Sequence, residues 1–225
     1  MGFETMRDMV FTLLAALRAP VRSLALAGLV LAAPAMTVTA QAASPAETFV
    51  SDNIQKGLQI LANRGPQRAS QFQAFLENLT DLSRIGRFTL GNARRAASPA
   101  DIAAFDASFK NYAIAVYQSR LSAYSGQTLK VTGSTQNGAG DTTVNTVMVD
   151  PAADKSQQPL TVGFRVVSEG ARMVVIDVSV AGVWLSIEER DQFSAFLSQH
   201  NGSIPALVTH LDQLAAQLRN GNAAR

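Results

Sequence analysis

Between residues 127 and 183 the chain carries four strand-like runs, 127–134, 142–149, 159–168 and 172–183. They are separated by Asn137-Gly138-Ala139-Gly140-Asp141, a proline-bearing loop and Glu169-Gly170. Connections this short cannot return a chain to run parallel, which takes a crossover of a dozen residues or more. The stretch therefore predicts a four-stranded antiparallel meander, and the apolar side of such a sheet needs a covering layer.

The flanking sequence supplies that layer. Residues 45–63 place Phe49, Ile54, Leu58 and Leu61 at helical spacing before Arg64-Gly65-Pro66. A second helix is predicted over 67–79, with Phe72, Phe75, Leu76 and Leu79 inward, and a third from Asp81 to Ala97. The fourth begins at Ser98-Pro99-Ala100-Asp101, an N-cap serine, a first-turn proline and an acid. It carries Ile102, Phe105, Phe109, Tyr112, Ala113, Val116, Tyr117 and Tyr124 on one broad face and ends at Gly126. A last helical region opens at Ser186, breaks at Asn201-Gly202 and resumes through Leu218. The expected class is α+β, with helices on one face of a curved four-stranded antiparallel sheet.

Ahead of these elements, Arg7, Arg18 and Arg22 precede the apolar run 24–33, and Ala40-Gln41-Ala42 offers the small residues of a signal-peptidase site. The run is far short of the roughly 20 residues that span a bilayer. Residues 1–42 are accordingly expected to be a secretory signal and 43–225 a single domain, placed in the periplasm. Removing three arginines and two acids from the 19 basic and 17 acidic residues leaves 16 against 15. That balance gives no argument for nucleic acid. The absence of cysteine excludes thiol catalysis, thiolate metal sites and a cysteine-linked lipid anchor.

Catalytic spacings are equally sparse. Gly133 to Gly138 has the interval of a phosphate loop, but Ala139-Gly140 replaces the required Lys and Ser or Thr. No Gly-x-Ser-x-Gly elbow occurs, and His200 and His210 are not placed as a ligand pair. Asp177 is the sharper candidate. Strand alternation sets Ile176, Val178 and Val180 on one face and Val175, Asp177 and Ser179 on the other. Such an acid serves either as a base in an apolar pocket or as a framework acceptor for backbone donors or Arg172, and no second titratable group is visibly paired with it. In the third helix, Arg84, Arg87, Arg94 and Arg95 fall within one sector of the wheel, above Leu82, Ile85, Ala93 and Ala96. This basic stripe suits lipid phosphate or an acidic partner, or simply a solvated face.

The ordered set Asp81, Leu90-Gly91, Phe105 and Phe109, Tyr117, Leu121 through Gly126, Asp177 and Gly182-Val183 resembles the MlaC family of periplasmic phospholipid carriers, across essentially the whole chain after residue 42. Arg94 replaces an aromatic of the family pattern, Met173 a tryptophan, and Trp184 a serine. These departures resemble the hopanoid-biosynthesis-associated subgroup. The resemblance implies a non-enzymatic carrier for a phospholipid or related lipid, with no cofactor and no metal. Its implied partners are an outer-membrane lipoprotein complex and the substrate-binding component of an inner-membrane ABC transporter. The residues expected to line its pocket are Ile85, Phe88, Phe105, Phe109, Tyr112, Val116, Val162, Phe164, Val166, Val178, Val180 and Val183. Arg84, Arg87, Arg94 and Arg95 are expected at the head group or a partner, and Asp177 in the frame. A hopanoid-associated carrier or adaptor, and a small enzyme using Asp177, are the alternatives.

Overall fold

The computed structural model describes residues 42–120, 124–151 and 158–223. The expected signal segment, the interior of the proline-bearing loop and residues 121–123 of the fourth helix lie outside the described residues. Helix α1 (Pro45–Ala62) opens with a capping box in which Ser44 and Glu47 satisfy each other's backbone N–H groups. After α2 (Arg68–Leu79), Asp81 caps α3 (Leu82–Thr89) by accepting from the Arg84 N–H at 2.9 Å. The same reciprocal logic starts α4 (Pro99–Arg120), where Ser98 Oγ accepts from Asp101 N at 3.1 Å while Asp101 accepts from Ser98 N.

The sheet runs β1 (Thr128–Gly138), β2 (Asp141–Val149), β3 (Thr161–Glu169), β4 (Arg172–Val180) and β5 (Val183–Trp184), antiparallel throughout and in sequence order. The meander is the expected one, with a fifth strand added. The run expected to continue to residue 183 folds back at Ala181 and Gly182, both at positive φ, which is the two-residue turn that matches strand twist. Helices α5 (Leu185–Gln199) and α6 (Ile204–Ala223) follow, joined through Asn201-Gly202.

Three local expectations are corrected. The third helix stops at Thr89, because Gly91 turns to φ +54° and the chain tightens into a 3₁₀ turn, Gly91–Arg95. The fourth helix does not reach Tyr124, which is already irregular. The alternation in β4 breaks at a bulge: Arg165 pairs with Asp177 but Val166 with Val175, leaving Ile176 as the extra residue. Val175 thereby joins the face of Val178 and Val180 rather than that of Asp177.

Two apolar clusters hold the layers. The helical one joins Leu90, Phe105, Phe109, Phe193, Leu207 and Leu211, with α4 against α6 as its spine. There the Phe105, Phe109 and Phe193 rings meet at centroid distances of 5.7, 6.0 and 6.2 Å. Helix α4 is buried on all sides over Tyr112–Ala115, not on one stripe, because α6 covers its back. Ser108 reinforces that contact by donating to Asp212 Oδ1 at 2.7 Å. The second cluster seats Ala46 and Val50 of α1 on Val144, Val166 and Val175 of the sheet.

Candidate functional site

The two clusters do not close completely against each other. Between α4 and β4 lies a cavity of about 140 Å³ whose wall is overwhelmingly apolar. Leu76 of α2, Leu82 and Ile85 of α3, Phe109, Tyr112, Ala113, Val116 and Tyr117 of α4, Val175 and Val178 of β4 and Leu185 of α5 line it. Thr80, Thr89, Asp177, Ser186 and Glu189 supply its polar points. The volume is close to that of an engineered cavity of roughly 150 Å³ that takes one benzene ring. A ligand much larger than one ring would enter only if helices and sheet part.

Most of the polar points are satisfied within the protein. Thr80 Oγ1 donates to Leu76 O at 2.8 Å and Thr89 Oγ1 to Gly86 O at 2.7 Å. Asp177 accepts from the N–H groups of Val178, at 2.8 Å, and Ser186, at 3.1 Å, and from the Ser186 hydroxyl. Its carboxylate thus ties the end of β4 to the first turn of α5, where an anion also meets the positive end of the helix dipole. Arg172 reaches the Asn78 carbonyl instead of Asp177.

Glu189 is different. Only 5% exposed, it leaves Oε1 without a hydrogen-bond partner among the described residues. Burial, then the neighbouring Glu188 charge, pushes its pKa up to about 8, with the Tyr112 hydroxyl opposing. Burial, with Glu189 beside it, in turn pushes the Tyr112 phenol well above its ordinary range.

Of the positions expected to line a pocket, Ile85, Phe109, Tyr112, Val116 and Val178 meet at this wall. Phe105 lies behind it, fully buried under Phe109 and Phe193. Phe164 and Val166 pack under α1 in the second cluster, and Val162 and Val180 are cross-strand partners that do not reach the cavity. Phe88 and Val183 are 43% and 40% exposed. Sequence reasoning missed Glu189, Leu185, Thr80 and Leu76. For Glu189 a signal was present: Leu185, Glu189 and Phe193 recur every four residues, which puts an acid inside an apolar stripe.

The arginines do not form one stripe, because the turn at Gly91 takes Arg94 and Arg95 out of the helical register. Arg84 reaches Glu169 at 3.3 Å and Arg87 grips Asp106 with two nitrogens. Arg87, Arg94 and Arg95 nevertheless meet around an open groove of about 560 Å³ on the outer side of α3, joined by Arg190, whose guanidinium lies 5.2 Å from the Phe88 ring centre. A second open groove, of about 700 Å³, runs beside it between α3 and α4. Both are surface depressions, and the apolar cavity is the more enclosed of the three.

Among the described residues no group of three or more His, Asp or Glu side chains could hold a metal, and no helix is long and apolar enough to cross a membrane. His200 and His210 each stack on Phe196, with centroids 3.9 and 4.7 Å away. Together, cavity and layers define an α+β domain arranged around an apolar pocket between a helical layer and an antiparallel sheet. The chain belongs to the MlaC family, whose model, described as MlaC protein, matches residues 47–213. No curated protein matches it. Among solved structures it is similar to the phospholipid-binding protein from Ralstonia solanacearum in complex with a phospholipid. The two are 22% identical, with a TM-score of 0.62 over 77% of this chain and 96% of that one.

Proposed function

We propose that this protein is a non-enzymatic carrier that holds a phospholipid, or a related amphiphile, by its acyl chains and moves it across the periplasm. The observation that carries the reading is the apolar cavity between α4 and β4 in a chain of the MlaC family, supported by a similarly folded protein that is complexed with a phospholipid. Each buried methylene contributes about 0.8 kcal/mol, so about 15 of them amount to on the order of 12 kcal/mol. Cargo held that tightly leaves through an apolar path offered by a docked partner rather than through water.

The proposed donors and acceptors of cargo are an outer-membrane lipoprotein complex and the substrate-binding component of an inner-membrane ABC transporter. The arginine groove on α3, with exposed Phe88, is the surface we assign to the head group or to such a partner, since guanidinium groups pair bidentately with phosphate and carboxylate. An enzymatic role for Asp177 is the weaker reading, because two backbone N–H groups and a hydroxyl already occupy its carboxylate.

The test is mass spectrometry of organic extracts and of the native protein, purified from the periplasm without detergent. One phospholipid per chain is the expected result. A hopanoid in its place would retain the mechanism and change the cargo, and empty protein would overturn the carrier reading.

A further inference from the structure

Glu189 stands where an ionised group is least favourable, on an apolar wall and 5% exposed, with Oε1 unpaired among the described residues. Buried polar atoms are nearly always paired, so an orphan at a cavity wall points to a partner that arrives with the ligand. The groups that face it come from three elements: Tyr112 and Tyr117 from α4, Asp177 from β4 and Glu188 from its own helix. The cavity residues of α2 and α3 are Leu76, Leu82, Ile85 and Thr89, none of them charged, and among the described residues no lysine or arginine lines the space. Asp177 and the two threonines are committed to internal hydrogen bonds.

We propose that the Glu189 carboxyl, supported by the Tyr112 hydroxyl, donates a hydrogen bond to an ester carbonyl of the bound diacyl lipid and so sets the depth of the glycerol–ester junction. This rests on the phospholipid reading above. Acyl chains offer the wall nothing polar, and a charged head group is too costly to bring into it. The ester carbonyls between them are acceptors without a donor, and a carboxylic acid supplies one donor. With its pKa held at about 8, Glu189 keeps that proton at neutral pH. The phenol of Tyr112, pushed above its ordinary range, keeps its own.

The experiment is a competition on the delipidated mature protein between dioleoyl phosphatidylglycerol and its diether analogue, which has matching chains and head group but no ester carbonyls. Bound lipids are quantified by native mass spectrometry. At about pH 6.5 the diester is expected to be preferred about three- to tenfold, the range of a single net hydrogen bond. The preference should fall as pH rises through the Glu189 pKa of about 8. Glu189→Gln, which keeps an N–H donor, should retain the preference and lose its pH dependence. Glu189→Leu should bind both lipids alike.

Equal binding of the two lipids by the wild-type protein would overturn the proposal, as would an undiminished preference in Glu189→Leu. If the leucine variant does not fold, a glutamine variant that still tracks pH overturns it independently. Wild-type protein that retains neither lipid would instead sink the phospholipid reading itself, and this inference with it.

Discussion

The helical core and the wall it presents to the sheet share residues and helices yet are packed to different standards. On the core side Phe105 and Phe193 are fully buried, and α3 approaches so closely that a Cβ on Gly86 would lie 2.7 Å from Phe109 Cδ1. On the other side of Phe109 the same layer leaves about 140 Å³ unfilled and accepts a buried acid with an orphan oxygen. Natural interiors fill space as densely as organic crystals. A void and an unpaired polar atom at one seam therefore mark where packing has been given up. The contrast separates the part of the layer that holds the fold from the part left for something else to complete.

Truncating the centre of the aromatic cluster should break the dense side most severely. Phe105→Ala is expected to lose about 3–5 kcal/mol in chemical denaturation. A loss below about 1 kcal/mol would mean that this cluster is not the anchor.

Glu189 should have the next largest effect, and its sign depends on pH. Its pKa is raised in the folded state from 4.5 to about 8, so the folded protein binds more protons between those values. Stability is then greatest below the unfolded pKa and declines as pH rises toward 8, by as much as roughly 4 kcal/mol. Glu189→Gln should remove that decline in thermal melts across the window; an unchanged slope would show that another group titrates there.

Two enlargements sharpen the comparison directly. Gly86→Val, on the closed side, should cost about 1–3 kcal/mol by overpacking against Phe109. Val178→Phe, on the open side, should cost less than about 1 kcal/mol because the cavity absorbs the ring, while reducing co-purified lipid. Equal penalties in urea titrations would mean that the two sides are packed alike. Smallest in stability, Arg94→Glu with Arg95→Glu should stay within about 0.5 kcal/mol of wild type yet weaken docking to anionic vesicles or to the proposed partner complexes. Undiminished docking would free the groove from that role.

Local chemistry made much of this readable from the residues. Ser98-Pro99-Ala100-Asp101 starts its helix as its side chains require, and the turn residues between the strands fix the order of the meander. What escaped was set by contacts across the fold. The bulge at Ile176 is invisible to a period of two, and Gly91 was read through because its positive φ reverses nothing in the apolar pattern. Glu189 was not singled out, because an acid near a helix start suits the helix dipole and needs no further partner. Only the packing of α5 against α3 and α4 reveals it as interior, although its place between Leu185 and Phe193 hinted at this.

The hydrogen bonds of Asp177 have a consequence for the geometry of any opening. They join β4, which carries Val175 and Val178, to the turn of α5 that carries Leu185 and begins the path to Glu189. Strand end and helix start are thereby coupled as one jaw. An outward swing of that jaw would widen the gap while these bonds held the start of α5 in register with the strand end. On the carrier reading and the Glu189 role proposed above, lipids of different chain length would be gauged from the same fixed mark, with the variation taken up at the far end of the chains.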